Sequence, residues 1–110
     1  MAQTSLYEGK TLQGGSFFST RQCILAADTY YVGMLLEETD GVFSALSTGS
    51  IAGIYNGTNG RVLAAQGEDN IVVAGEVAHS ALVDASGDAL VLTDALIADY
   101  RAAGFYIKEV

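Results

Sequence analysis

Thr29-Tyr30-Tyr31-Val32-Gly33-Met34-Leu35-Leu36, Glu37-Glu38-Thr39-Asp40-Gly41 and Val42-Phe43-Ser44-Ala45-Leu46 follow one another in the chain, and this run decides the fold class. β-Branched and aromatic residues crowd the first segment, which predicts a strand from Thr29 to Leu36. Asp40-Gly41 suits the positive φ angles of a tight hairpin turn. Val42 to Leu46 then reads as the returning strand.

The same alternation of short extended segments and turn residues continues on both sides. Upstream, Ile24-Leu25-Ala26-Ala27 is a short apolar run, compatible with one helical turn or with the start of a strand. Downstream, Ile51 to Tyr55 predicts a strand that runs into the loop Asn56-Gly57-Thr58-Asn59-Gly60. Arg61 to Ala65 is extended, Gly67 to Asn70 reads as a turn, and Ile71 to Ala74 as an apolar strand continuing through Val77. Asp84 to Asp88 is another turn, with Ala89 to Leu92 extended after it.

One helix is expected, late in the chain. The Thr93 hydroxyl can accept from an unpaired amide of the first turn, and Asp94 places negative charge at the positive end of the helix dipole. Leu96, Ile97, Tyr100 and Ala103 share a face by their i, i+3, i+4, i+7 spacing. Arg101 falls in the last turn, and Gly104 suits the left-handed residue after it. Phe105 to Val110 closes the chain as a strand. Roughly six to eight short strands with frequent turns predict a mostly-β, small barrel-like or sandwich-like single domain over residues 21–110, with one C-terminal helix.

Residues 1–20 differ from this body. They are polar, carry Gly9, Gly14 and Gly15, and show no sustained period. They read as a flexible N-terminal arm that orders on a partner. Thr4, Ser5, Leu6, Tyr7, Leu12, Phe17 and Phe18 are its candidate docking residues, the apolar ones as pocket anchors, because two adjacent Phe serve no purpose in a solvated tail.

The chain has 110 residues, a net charge of −8, no Pro, no Trp, one Cys and one His. Only 16% of residues are charged, against roughly 25% in ordinary soluble domains. A chain of this length buries about 65% of its unfolded surface. It is therefore short of solvent-loving surface, and cover from further subunits is expected. The charge is also uneven. Glu8, Asp28, Lys10 and Arg21 cancel over residues 1–36, so the whole excess of acid lies in residues 37–110. An acidic body is repelled by nucleic acid and by anionic lipid. No run approaches the ~18 apolar residues of a membrane span, and Met1-Ala2-Gln3-Thr4 lacks the basic start of a secretory signal.

No catalytic constellation emerges, and the chain reads as a non-enzyme with no cofactor or metal. Ser80 and Asp84 are the partners on offer to His79, but adjacent strand residues point to opposite faces. Cys23 reads as a buried or half-buried thiol despite Arg21 nearby. One Cys and one His make no ordinary zinc site. Asp84-Ala85-Ser86-Gly87-Asp88 resembles the start of a calcium loop, but its Gly is misplaced and Ala95 stands where the final Glu is needed. Glu37-Glu38 reads as a solvated pair. Gly53, Gly57 and Gly60 lack phosphate-loop spacing.

Tyr55 followed by Asn56-Gly57-Thr58-Asn59-Gly60, the apolar Val62-Leu63-Ala64-Ala65 and the acidic Glu68-Asp69 resembles the head decoration proteins of tailed bacteriophages, the lambda-like capsid-stabilising group. Val72 to Val77, Ala81-Leu82, Leu92 to Ile97 and Gly104 to Lys108 extend the resemblance, which covers roughly residues 30–110. It implies a compact mostly-β decoration domain of β-clip or β-tulip type. It also implies a homotrimer on the outer capsid surface of the virion, made in the host cytoplasm and added at three-fold and quasi-three-fold sites after shell expansion. The major capsid protein would be the partner, gripped by the N-terminal arm, and neighbouring capsomers would be cemented against internal DNA pressure. Arms in that group are often rich in Pro and Thr, whereas this one has no Pro. A tail or fibre component shares the fold class. A small β-barrel ligand-binding module of biotinyl type needs a Lys on a hairpin turn, and the only lysines are Lys10 and Lys108.

Overall fold

In the computed structural model, residues 13–47 and 49–108 are described. Eight strands and one helix follow in the order β1 (Gln13–Leu25), β2 (Asp28–Tyr30), β3 (Leu35–Thr39), β4 (Val42–Ala45), β5 (Gly53–Tyr55), β6 (Arg61–Leu63), β7 (Gly67–Ala78), α1 (Asp94–Ala102) and β8 (Phe105–Lys108). A 3-10 turn, His79–Ala81, follows β7 directly. The fold is mostly β with a single helix, as the spacing of strand and turn residues predicts.

The hairpin that decided the fold class forms as expected. Asp40 and Gly41 both take positive φ, 51° and 84°, and join β3 to β4 with Thr39 opposite Val42. Both central residues of a type I′ turn need such angles, and Asp-Gly adopts them readily. The expected strand from Thr29 to Leu36 is interrupted, however. Gly33 has φ +94°, and a Cβ there would overlap the Ala81 carbonyl oxygen. The chain turns through Tyr31 to Met34, closed by Met34 N–H donating to the Tyr31 carbonyl. β2 therefore leaves to pair with β6, while β3 stays in the main sheet.

The main sheet runs β1-β4-β3-β5-β7-β8, and a β1–β7 pairing closes its first five strands into a ring. Strand β1 joins β4 in parallel through Ile24↔Val42 and Leu25↔Phe43. It runs antiparallel to β7 from Leu25↔Gly67 to Phe18↔Gly75, then, past an irregularity, to Gln13↔Val77. Two sequence expectations change here. Residues 13–20, read as the end of a flexible arm, are strand β1. Residues Gly67 to Asn70, read as a turn, are the first residues of β7. The reason is the same in both places: each segment supplies the other's backbone hydrogen-bond partners, and this pairing overrides local turn chemistry.

Helix α1 follows its sequence signals. Thr93 Oγ1 accepts from Leu96 N–H at 3.2 Å, Asp94 and Arg101 occupy the first and last turns, and Gly104 has φ +97° beyond the C-cap Ala103. Parallel neighbours need a crossover, and α1 lies in the one that brings β8 beside β7, with Gly75↔Phe105 and Ala78↔Lys108. The core has two adjoining clusters. Ile54, Val72, Val77, Leu82, Tyr100 and Phe105 anchor the larger, with Tyr100 edge-on to Phe105 at 6.3 Å. Leu25, Tyr30, Met34, Leu36, Tyr55 and Ile71 anchor the other, where Tyr30 stacks on Tyr55 at 5.4 Å.

Candidate functional site

The most elaborately built part of the surface is the loop from β5 to β6, which carries the sequence motif. Tyr55 ends β5 with its side chain fully buried. Its hydroxyl lies 2.7 Å from Asp69 Oδ2, to which it donates, and 2.9 Å from the Thr58 carbonyl. Arg61 Nη1 donates to the same Asp69 oxygen at 2.6 Å and to the Glu68 carbonyl at 3.0 Å. The Asn70 N–H donates to Asp69 Oδ1 at 2.7 Å. Asp69 is thus the hub, reached from β5, β6 and β7 at once.

The remaining loop residues are held individually. Asn56 N–H donates to the Asn70 carbonyl at 3.0 Å, and Asn56 Nδ2 to Asn70 Oδ1 at 2.7 Å. Asn59 Oδ1 accepts from Val32 N–H at 3.0 Å, and Gly60 N–H donates to the Tyr30 carbonyl at 2.8 Å. Glycine suits position 57, because a Cβ there would push the Asp69 carboxylate out of its place in the hub. Gly60 needs its flexibility for a different reason, its φ of +75°.

Electrostatics follow from this geometry. Burial alone would raise the Asp69 carboxyl. The Tyr55 hydroxyl, the Asn70 amide and Arg61 more than reverse that, and hold it below the ordinary carboxylate range. Burial, then the hydrogen bond to Asp69, push the Tyr55 phenol well above its usual value. The arrangement fixes a loop shape.

Of the docking residues expected from sequence, only Phe17 and Phe18 fall among the described residues. Thr4, Ser5, Leu6, Tyr7 and Leu12 lie outside the described residues. The Phe17 main chain is in β1. Phe18 is half-buried against the larger core cluster, so it serves the fold as an internal contact. Its burial follows from the extension of β1 along β7, where Phe18 stands opposite Gly75.

Other candidates take structural places. Cys23 is a half-buried thiol on β1, raised by burial and pulled back in part by Arg21. Glu37 Oε1 accepts from Ser47 and Gly49 N–H, both at 2.9 Å, and so ties down the loop after β4. Asp84 Oδ1 accepts from Ser86 and Asp88 N–H at 2.9 and 3.0 Å, organising its own turn. Among the described residues, no group of three or more His, Cys, Asp or Glu could hold a metal ion. None of their helices is long and apolar enough to cross a membrane. Large apolar side chains stand exposed at Ile24 on β1, Val62 on β6, Val91 before α1 and Tyr106 on β8. Sequence reasoning missed the Tyr55–Asp69–Arg61 cluster as a unit. The only available signal was the recurrence of an aromatic, an Asn-Gly loop and an acidic pair in one motif.

No protein-family model matches the chain, and no curated protein matches it.

Proposed function

We propose that this chain is a non-enzymatic structural protein of a phage virion, a lambda-like head decoration protein that binds the outer surface of an expanded capsid as a homotrimer. The observation that carries the reading is the loop motif from Tyr55 to Gly60 with Asp69, followed by the Thr93-capped helix, Gly104 and the last strand. The loop is organised as a rigid feature around a buried tyrosine and a shared carboxylate, as befits a contact surface.

Residues 1–12 precede β1, whose first residue pairs with Val77. An arm leaving there adds a strand to a capsid-protein sheet through its backbone amides and carbonyls. Being free of Pro, it loses no donors to ring nitrogens. Ordering costs about 1–2 kcal/mol per residue of backbone, so one arm binds weakly. Three arms on a trimer raise avidity by roughly 10² or more. Exposed Val62, Val91 and Tyr106 are apolar side chains for subunit or capsid contacts to cover, in keeping with the low fraction of charged residues.

The test mixes purified protein with expanded capsids stripped of decoration. The full chain should co-sediment and raise the capsid melting temperature. A chain lacking residues 1–12 keeps all of β1 and should lose most of that binding. Full-length protein that neither sediments with capsids nor shifts their melting overturns the proposal.

A further inference from the structure

The loop contains two Asn-Gly dipeptides, Asn56-Gly57 and Asn59-Gly60, three residues apart. In an unfolded chain this dipeptide is the one most prone to cyclise, because glycine leaves the following backbone nitrogen unshielded. Here both positions favour glycine, one for want of space beside the Asp69 carboxylate and one for its φ of +75°. The fold therefore keeps both labile sequences, and it treats them differently.

At Asn59 the attacking nitrogen is engaged. Gly60 N–H donates to the Tyr30 carbonyl, whose own ring is fully buried. The side chain to be attacked is pinned by Val32 N–H on Asn59 Oδ1. At Asn56 the situation is the reverse. No hydrogen bond among the described residues uses the Gly57 N–H, so none of these residues ties up the nucleophile. Among the described residues, the carboxamide is restrained by one side-chain bond, from Asn56 Nδ2 to Asn70 Oδ1.

We propose that Asn56 is a site of spontaneous succinimide formation in the folded protein, and that Asn59 is protected by the fold. Hydroxide removes the Gly57 amide proton, and the nitrogen bonds to Asn56 Cγ. The Cγ–Nδ2 bond breaks, and Nδ2 takes a proton from water and leaves as ammonia. Water then opens either C–N bond of the imide, leaving aspartate or isoaspartate at position 56. Each product lacks the donor to Asn70 Oδ1 and adds a carboxylate near Asp69. Isoaspartate also lengthens the main chain beside the pairing of residues 56 and 70. The modification therefore loosens the loop with age.

The experiment incubates the intact folded protein at mildly alkaline pH and follows each site by peptide mapping, with fragmentation that separates aspartate from isoaspartate. A sample unfolded in urea runs in parallel. Two hydrogen bonds must open before Asn59 reacts, so it should convert roughly ten- to hundredfold more slowly than Asn56 in the folded protein. The two sites should convert at similar rates in urea. Asn56→Gln, checked for folding by circular dichroism, should remove most ammonia release from the folded protein. The proposal fails if Asn59 converts as fast as Asn56 in the folded state. It fails equally if Asn56 stays intact while the unfolded chain reacts fully.

Discussion

Tyr100 is the one place among the described residues where the packing leaves a buried side-chain polar atom unpaired. The side chain is fully buried in the larger cluster, against Phe105, and its hydroxyl has no hydrogen-bond partner. Burial pushes the phenol well above its ordinary pKa, as expected for a group that can be held there only neutral. An unsatisfied buried hydroxyl costs about 1–3 kcal/mol in lost solvation. Tyr100→Phe removes that oxygen and keeps the ring, its rotamer and the edge-on contact with Phe105. A small gap replaces the hydroxyl, and lost contacts there offset part of the gain. The net expectation is a stabilisation of about 1 kcal/mol. For a domain of this size that corresponds to a rise of roughly 4–8 °C in Tm. Urea unfolding followed by far-UV circular dichroism measures it, with thermal melts as a second readout. Destabilisation by about 1 kcal/mol or more would show that the hydroxyl is bonded in the working protein, and would refute the reasoning.

The Asp69 hub gives a second expectation. Asp69→Ala leaves the Tyr55 hydroxyl with only the Thr58 carbonyl and removes the side-chain acceptor of the Asn70 N–H, and should cost about 1–3 kcal/mol, whereas Arg61→Ala removes a partly exposed ion pair and should cost less. The Asp69 carboxyl is depressed below its ordinary 3.8, so its contribution is present above that pH and is lost as pH falls toward the folded value. Urea titrations of wild type and Asp69→Asn should therefore differ at neutral pH and converge in acid; a gap that persists below the folded value refutes the linkage. Two glycines of similar φ, Gly33 at +94° and Gly41 at +84°, separate strain from sterics. Gly33→Ala drives a Cβ into the Ala81 carbonyl, while Gly41→Ala meets open space. The first should cost roughly 3 kcal/mol or more and reduce soluble yield, the second about 1 kcal/mol; equal effects would refute the close approach of Gly33 to Ala81.

Parts of the site were legible before any fold was known. The Asn-Gly loop, the preceding aromatic and the following acidic pair stand close in sequence, so their association could be noticed. That Asp69 would receive bonds from Tyr55 and Arg61 was not legible, because the turn chemistry of Gly67 to Asn70 suggested a loop. Phe18 looked like a free anchor for the same kind of reason. Its neighbours Gly14, Gly15 and Ser16 suggest a soft segment, and only pairing with β7 brings it against the core.

The sequence by itself determined what depends on a few consecutive residues. The Asp40-Gly41 hairpin, the start of α1 at Thr93 and its stop at Gly104 are all local events, in which a side chain or a permissive φ acts within one turn of chain. Tertiary structure alone decided that β1 begins at Gln13, that β7 begins at Gly67, and that the sheet closes into a ring. Those outcomes rest on backbone hydrogen bonds between segments distant in the chain. Main-chain donors and acceptors are the same at every non-proline residue, so their pairing leaves little trace in residue type.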